Sequence, residues 1–464
     1  MQFIFSEALI RRQHNVFYQV ITVKGLHIMK IYHYPSEAAQ EKITAIVNRG
    51  MNFNEKDSEA VSRIIDDVKK RGDAAVVMYA RRFDSLNITA DTLKVTRDEF
   101  DHAIETVEPE FVRSLNRAVD QITSFHRLQR QKSWFSTQRQ GTVLGQIVNP
   151  VDAVGVYVPG GKGGKTPLVS SVLMGAIPAR IAGVKSVAMV TPPTEAGTVD
   201  PHLLVAAGKV GVDAVYKMGS AWAIAALAFG TATVPKVDVI VGPGNMYVTL
   251  AKKILAGSVG IDMIAGPSEI LIIADETANA EFVAADLLSQ AEHDPVASAI
   301  LVTTSARLAE AVSVSVEKQL AFLSRKDIAR ASLSQYGVIL VVPDLTVAFD
   351  LSNRIAPEHL ELQIQDPFDY IGNVRNAGAV FLGKYTPEPV GDYIAGPNHV
   401  LPTAGTARFA SALSVDHFIR KTSLIHYSYD AFRSEAEDIV RLAETEGLGA
   451  HANAINVRLK HAGG

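Results

Sequence analysis

The run Glu269-Ile270-Leu271-Ile272-Ile273-Ala274 is short and apolar at nearly every position, and Ser298-Ala299-Ile300-Leu301-Val302-Thr303 repeats this pattern. A segment of helical length that is rich in alanine separates the two runs. A strand that is apolar at consecutive positions, rather than at alternate ones, is buried on both faces, which is typical of a parallel sheet covered by helices. The alternation of strand and helix therefore indicates an α/β fold.

The same pattern of short apolar runs continues in both directions along the chain. Further apolar runs occupy residues 153–158, 185–191, 237–241, 337–342 and 379–382. Seven such strands suit two sheets better than one. We predict an α/β chain with two Rossmann-like parallel-sheet domains and smaller helical N- and C-terminal parts.

The regions outside these runs have a helical pattern. Residues 36–150 and the last fifty residues read mainly as helix. We expect Ser58 to cap a helix that ends at Gly72, because apolar residues recur between them at helical spacing. A second apolar series at the same spacing starts at Phe111.

Length and composition exclude several classes of protein. A chain of 464 residues exceeds what one hydrophobic core usually organises, so two or more domains are expected. The net charge of -4 argues against a dedicated nucleic-acid-binding protein. The absence of cysteine excludes disulfides, thiolate zinc sites and a cysteine nucleophile.

The chain carries no sequence signal for a membrane. No apolar run reaches the roughly 20 residues that a membrane-spanning helix needs, and polar residues interrupt the apolar stretches of residues 1–28, so that no signal peptide forms there. We expect residues 1–28 to be an extension outside the folded core, the fold to begin near Met29, and the protein to be cytoplasmic.

Two glycine-containing loops follow predicted strands. Pro159-Gly160-Gly161-Lys162-Gly163-Gly164-Lys165-Thr166 has Pro159 where a P-loop needs glycine, and it also fails the dinucleotide fingerprint. A tight turn and a phosphate or substrate loop remain equally open for it. Gly242-Pro243-Gly244-Asn245 lies where ligands bind to open α/β sheets, so Asn245 is either a ligand contact or a turn former.

Two groups of polar residues suggest chemistry. Gln290 and His293 are three apart on a predicted helix and can converge on one cation, with Asp392 and His451 as candidates for further ligands of zinc or a similar divalent metal. The alternative is a solvated helix end. Glu358-His359 pairs a carboxylate with an imidazole, as base catalysis with an activated water requires, or it is a capping Glu with an incidental His.

The motifs, taken in order, resemble those of the histidinol dehydrogenase family. They run from about Gly155 to His451 and comprise Val156-Tyr157-Val158-Pro159-Gly160-Gly161, Val241-Gly242-Pro243-Gly244-Asn245, Ala265-Gly266-Pro267-Ser268-Glu269, Asp286-Leu287-Leu288-Ser289-Gln290-Ala291-Glu292-His293, Pro357-Glu358-His359-Leu360 and Gly396-Pro397-Asn398-His399.

The resemblance implies a zinc-containing homodimer that catalyses the last step of histidine biosynthesis. L-histidinol would be oxidised through L-histidinal to L-histidine, and two NAD would be reduced. The implied domains are 29–156 joined to 268–412 as the first α/β unit, 157–267 as the NAD-side unit, and a small C-terminal domain, 413–464, that contributes to the partner's site.

The resemblance also assigns roles to individual residues. The zinc ligands, which lie against the substrate as well, would be Gln290, His293, Asp392 and His451, the last reaching in from the partner subunit. Glu358 would activate water and His359 would be the general base, also touching substrate. Tyr157 and Asn245 match NAD contacts. Ser170, Ser268, His399 and Glu446 match substrate contacts.

Two positions depart from the family pattern. Trp222 stands where the family usually has a glutamine that contacts NAD, and its ring could stack on the cofactor instead. The loop after Gly161 is about three residues longer than usual and adds Lys162 and Lys165.

Three other functions compete with this assignment. The first is a related zinc- and NAD-dependent dehydrogenase for another hydroxylated substrate. The second is a nucleotide-binding switch or nucleoside triphosphatase that uses the loop 159–166, and the third is a scaffold without catalysis. Histidinol-dependent NAD reduction tests the first, magnesium-dependent binding of ATP or GTP tests the second, and zinc content together with NAD affinity tests the third.

Overall fold

The computed structural model describes residues 28–48, 53–160 and 166–461. The predicted extension therefore lies almost entirely outside the described residues, as do the two loop lysines, Lys162 and Lys165. Met29 is described, and it is fully buried in the core of the larger sheet.

The strands in the described residues are, in chain order, β1 Ile31–His33, β2 Trp134–Ser136, β3 Thr142–Pro150, β4 Ala153–Tyr157, β5 Ser186–Thr191, β6 Ala214–Lys217, β7 Val239–Val241, β8 Gly260–Ile261, β9 Glu269–Ala274, β10 Ser298–Thr303, β11 Val338–Val341, β12 His359–Gln363, β13 Ala379–Leu382 and β14 Ile419–Tyr427.

The α-helices in the same part of the chain are α1 Glu37–Val47, α2 Glu55–Arg71, α3 Asp73–Phe83, α4 Arg97–Thr106, α5 Pro109–Arg127, α6 Val169–Ala182, α7 Pro201–Lys209, α8 Ser220–Phe229, α9 Met246–Leu255, α10 Ala280–Ala291, α11 Ala306–Leu320, α12 Lys326–Tyr336, α13 Leu345–Ile355, α14 Glu388–Tyr393, α15 Tyr429–Thr445 and α16 Gly449–His461.

The smaller parallel sheet has the strand order β6-β5-β4-β7-β8. The chain reverses its direction of travel across the sheet between β4 and β7, which is the Rossmann arrangement and opens a crevice at the carboxyl ends of these two strands. Val187 and Met189 of β5 pack on one face, and Ala188 and Val190 pack on the other. Burial on both faces explains the continuous apolar run.

The larger parallel sheet has the order β1-β11-β10-β9-β12-β13, in which β9 to β13 repeat the Rossmann arrangement and β1 is added at one edge. Ile270 and Ile272 of β9 pack on one side, and Leu271 and Ile273 pack on the other. The two sheets confirm the predicted α/β fold. Residues 262–268 connect β8, in the smaller sheet, to β9, in the larger sheet. The predicted domain boundaries stay a proposal.

A third, antiparallel sheet was absent from our sequence prediction. Its order is β14-β3-β2, and Ile419 pairs with Pro150 at one end while Tyr427 pairs with Thr142 at the other. Most residues of β14 are exposed or half-buried, so the strand has no continuous apolar run that would reveal it. The regions predicted as mainly helical therefore contain three strands.

The start of α2 corrects another expectation. Asn54, rather than Ser58, is the N-cap: its side chain accepts a hydrogen bond from Asp57 N at 2.7 Å, and Ser58 lies inside the helix. The side chain of Asn54 satisfies a free N–H group, which extends the helix by a turn. The helix ends as predicted at Gly72, whose φ of 56° suits a residue without a side chain.

Within the described ranges, every helix is too short or too polar to cross a membrane.

Candidate active site

A cavity of about 880 Å³ lies between the two parallel sheets. Pro159 and the loop 243–246 line it at the carboxyl ends of β4 and β7. On the other side it is lined by Ser268, which precedes β9, and by Glu358 and His359, which begin β12. The site thus joins the carboxyl edge of the smaller sheet to the amino edge of the larger one.

Most of the predicted site residues meet at this cavity, although they are far apart in the sequence. Nine of the thirteen line it, namely Ser170, Asn245, Ser268, Gln290, His293, Glu358, His359, Asp392 and His399. The other four, which are Tyr157, Trp222, Glu446 and His451, are not among its lining residues.

The backbone of Glu269 holds both members of the predicted catalytic pair. Its N–H donates to Glu358 Oε2 at 2.9 Å, and its carbonyl oxygen lies 2.9 Å from His359 Nδ1. A carbonyl only accepts, so Nδ1 carries the proton, and the neutral ring keeps its lone pair on Nε2. His359 begins a strand, β12, which pairs with β9 on one side and β13 on the other.

Burial sets the protonation of this pair. It lowers the pKa of His359 to about 4, partly offset by the charge of Asp392, so that the imidazole is neutral near pH 7. It raises the pKa of Glu358 well above its usual value, even though the Glu269 N–H favours the charged form. A carboxylate with a raised pKa is the stronger base.

Three of the four predicted metal ligands lie at or near the ends of two helices. Gln290 is in the last turn of α10, and its Oε1 is buried without a hydrogen-bond partner among the described residues. His293 follows two residues after the helix, and both side chains line the cavity. Asp392 lies in α14, a short helix that begins after Pro387.

Glu388 is a site residue that the sequence analysis missed. Ligand atoms of His359, Glu388 and Asp392 all lie within 4.8 Å of one another, so Glu388 joins the acidic side of the cavity. Burial raises its pKa to about 8, and the charge of Asp392 and a hydrogen bond with that side chain add to the shift. The only sequence signal was its position, four residues before Asp392 on one helix face.

Behind Glu388 lies a buried polar network that ties the site's elements together. Glu361 Oε1 accepts a hydrogen bond from Glu388 N at 2.9 Å. Gln363 Nε2 donates to Glu361 Oε2 at 3.0 Å and to Asp286 Oδ2 at 2.6 Å. The network therefore connects β12 with α14, which carries Asp392, and with α10, which carries Gln290.

His399 lines the cavity beside Asp392, one of the predicted metal ligands. Its Nδ1 lies 3.8 Å from Asp392 Oδ1, and burial lowers the pKa of the ring. The preceding residue, Asn398, fixes this loop: its Nδ2 donates to Met174 O at 2.8 Å and its Oδ1 accepts from Val400 N at 2.9 Å.

The predicted cofactor contacts lie near the carboxyl edge of the smaller sheet. Asn245 caps α9, and its Oδ1 accepts from Tyr247 N and Val248 N at 3.1 and 3.2 Å. Tyr157 is buried just before Pro159, and its hydroxyl accepts from Ser220 N at 3.2 Å. Trp222 is only 4% exposed, and its ring stacks on Tyr79 and Phe83 at centroid distances of 5.9 and 5.6 Å.

Glu446 and His451 lie on the C-terminal helices, and both are exposed. Glu446 ends α15, and His451 lies in the first turn of α16. Neither side chain reaches the cavity of its own chain.

Comparison with known proteins identifies the family. The histidinol dehydrogenase family profile matches residues 47–459. Histidinol dehydrogenase of Desulfotalea psychrophila is 55% identical over 425 residues, covering 92% of this chain and 98% of the relative. That of Oleidesulfovibrio alaskensis is 53% identical over 426 residues, with coverages of 92% and 98%.

A solved structure agrees with these sequence matches. The crystal structure of histidinol dehydrogenase from Elizabethkingia anophelis superimposes with a TM-score of 0.89 at 38% identity, covering 95% of this chain and 100% of that one. This chain belongs to the histidinol dehydrogenase family.

Proposed function

We propose that this protein oxidises L-histidinol through L-histidinal to L-histidine, reducing two NAD with the help of a bound zinc ion, in the last step of histidine biosynthesis. One observation carries the proposal. A neutral imidazole, His359, lines the same cavity as the metal-ligand side chains Gln290, His293 and Asp392.

The residues present fit a divalent metal. Gln290 Oε1 is a buried acceptor without a partner among the described residues, which is costly unless a cation or donor binds it. Gln290, His293 and Asp392, with His451 of the partner subunit, would supply the nitrogen and oxygen ligands that zinc accepts. A bound zinc would act mainly as a template that orients the substrate.

His359 would move the protons of both oxidations. Its Nε2 would accept the proton of the alcohol hydroxyl while hydride leaves the carbon that bears this hydroxyl and passes to NAD. Because the chain has no cysteine, the aldehyde would be oxidised as its hydrate rather than as a thiohemiacetal. Glu358 would take a proton from the attacking water, and the protonated His359 would give its proton to the aldehyde oxygen. The neutral His359 would then deprotonate the hydrate as hydride leaves for the second NAD.

The remaining roles follow the positions of the residues around the cavity. Ser170, Ser268 and His399 line it and would contact substrate. Asn245 and Tyr157 would contact NAD at the carboxyl edge of the smaller sheet. For Trp222, direct contact with NAD stays a prediction of the sequence, since its ring is packed against Tyr79 and Phe83.

We propose a homodimer in which Glu446 and His451 complete the partner's site. The helix α16 that carries His451 buries only Ala452, so it makes little core of its own. A helix of this length is marginal in isolation. Large apolar side chains are exposed around it and on the antiparallel sheet, namely Trp134, Phe135, Ile425, Leu442, Leu448 and Val457. A second subunit would cover such a surface.

The test combines metal analysis with an activity assay. Purified protein should contain about one zinc per subunit and reduce two NAD per histidinol consumed, and a chelator should abolish the reaction until zinc is returned. Zinc-loaded protein that binds NAD but leaves histidinol unchanged would assign the chain to another hydroxylated substrate. Protein that binds neither zinc nor NAD would contradict catalysis altogether.

A further inference from the structure

Lys252 and Asp262 form a buried ion pair beside the proposed cofactor site. Their side chains are 3% and 0% exposed, and Lys252 Nζ donates to Asp262 Oδ1. Neither residue lines the cavity, and none of the roles above involves them. Removing two charges from water is costly, so the pair needs a reason beyond its mutual attraction.

The pair binds both polar groups of one backbone residue. Gly242 N donates to Asp262 Oδ2 at 2.7 Å, and Lys252 Nζ donates to Gly242 O at 3.0 Å. Gly242 has a φ of 114°, and a Cβ there would lie 2.1 Å from the carbonyl oxygen of Tyr157. The ion pair therefore fixes the orientation of a peptide pressed against the end of β4.

The same two side chains connect the walls of the cavity. Lys252 is on α9, whose N-cap is Asn245. The loop 243–245, which connects Gly242 to α9, lines the cavity. Asp262 Oδ1 also accepts from Met263 N at 2.7 Å, and Met263 lines the cavity as well. One ion pair thus sets the distance between the Asn245 loop and the segment that leads to Ser268.

We propose that Lys252 and Asp262 are positioning residues for NAD binding: they hold the Gly242–Asn245 turn in the conformation that meets the cofactor. This inference rests on the proposed function, because it requires NAD at that turn. Directional hydrogen bonds to both sides of Gly242 serve this purpose better than an apolar pair of similar volume, which would stabilise the fold equally well.

The test replaces the pair without leaving one charge unpaired. Lys252→Met/Asp262→Asn keeps an acceptor for Gly242 N but loses the donor to Gly242 O. We expect the dissociation constant for NAD, measured by calorimetry without substrate, to rise about tenfold or more, because small misplacements of a binding group are costly. Zinc content and kcat at saturating NAD should stay within about twofold of the wild type.

Two further variants make the result specific. Lys252→Gln/Asp262→Asn retains a neutral donor and should recover part of the NAD affinity. If the first variant does not fold, this second variant is compared with the wild type in its place. Arg180→Met is the matched control. Arg180 pairs with Asp213 at 2.6 Å and binds backbone carbonyls at the amino edge of the same sheet, so its loss should lower the melting temperature and leave NAD affinity unchanged.

The outcomes separate this inference from the function on which it depends. A wild type that binds NAD, with a folded double variant that binds it within about twofold, overturns the positioning role alone. If Arg180→Met loses as much NAD affinity as the double variant, the positioning role is also overturned, because the effect would then be one of general stability. A wild type that binds no NAD overturns the proposed function, and the positioning role with it.

Discussion

The two ring nitrogens of His359 have different hydrogen-bond partners, and this difference determines which of them can accept a proton. Nδ1 is bound by the carbonyl of Glu269, so only Nε2 can take a proton from a substrate. The pKa of the buried ring, about 4, keeps it neutral at physiological pH. A backbone bond thus sets the tautomer, and burial sets the charge.

The first prediction is that His359→Asn loses both oxidation steps. The amide of Asn can keep the bond to Glu269 O but cannot accept a proton, so kcat should fall by roughly 10²–10⁴ for histidinol and for histidinal alike. Zinc content, measured by metal analysis, should match the wild type. Preserved oxidation of either substrate would contradict the role of general base.

The second prediction concerns Glu358→Gln. Only the aldehyde step consumes water, so the rate with histidinal as substrate should fall more than the rate of the first hydride transfer from histidinol. Single-turnover measurement of NADH formation separates the two steps. An equal fall in both would assign Glu358 to structure, through its bond to Glu269 N.

At the scale of secondary structure, the elements that bear the site are held together by buried acids. Burial raises the pKa of Glu361 well above its usual value, and the nearby charge of Asp286 adds to the shift. Glu361 is a hydrogen-bonded hub between β12, α10 and α14. Its hydrogen bonds fix the helix that presents Asp392 relative to the strand that presents His359.

The third prediction compares two substitutions at this hub. Glu361→Leu leaves the buried Glu388 N–H unpaired, which costs about 1–3 kcal/mol, and should weaken zinc binding about 10–100-fold. Glu361→Gln keeps an acceptor and resembles the neutral acid, so its zinc affinity should stay near the wild-type value. Competition with a chelator measures both affinities, and equal losses would contradict the role of Glu361 as the acceptor for Glu388 N–H.

The fourth prediction concerns the link between α5 and α7. His202 Nδ1 lies 2.9 Å from Asp200 Oδ1, and Nε2 lies 3.2 Å from Glu108 Oε2. Burial alone would lower the pKa of His202, but these two acids outweigh it and raise the pKa. A raised pKa in the fold means that the stabilisation is complete below the unfolded value, about 6.5, and is lost as pH rises through the folded value.

This effect is measurable by thermal unfolding over a range of pH. The melting temperature of the wild type should exceed that of His202→Asn most at about pH 6, and the difference should shrink as pH rises through the folded pKa of His202. A difference that stays constant with pH would mean that the ring stabilises only by packing on Phe111.

At the scale of the whole molecule, the two sheets face the cavity with opposite edges. The smaller sheet contributes the ends of β4 and β7, as expected for a ligand at a Rossmann switch point. The larger sheet contributes the amino ends of β9 and β12, where Glu269, Glu358 and His359 lie. Membership of the family confirms the predicted oxidoreductase class and the α/β fold.

The fifth prediction tests whether the site is shared between subunits. Co-expressed His359→Asn and His451→Ala chains should regain roughly a quarter of wild-type activity, because half of the dimers are mixed and one of their two sites is intact. Each variant alone should be inactive. Mixtures that stay inactive would mean that His451 acts within its own chain or not at all.

The sequence by itself determined the fold class and the family. Runs such as 269–274 are buried on both faces, and this burial is visible in the local sequence because nearly every residue of the strand is apolar. Ordered motifs, among them Gln290 to His293 and Glu358-His359, were enough to predict residues that line the cavity.

The tertiary structure alone decided how these segments pair and what surrounds them. The strand β12 contains His359, Glu361 and Gln363, and polar residues in a central strand are tolerated because neighbouring elements supply hydrogen-bond partners for most of their polar atoms. Glu388, the hub at Glu361 and the Lys252–Asp262 pair were missed for the same reason: each depends on how separate elements pack, which a local sequence pattern does not record.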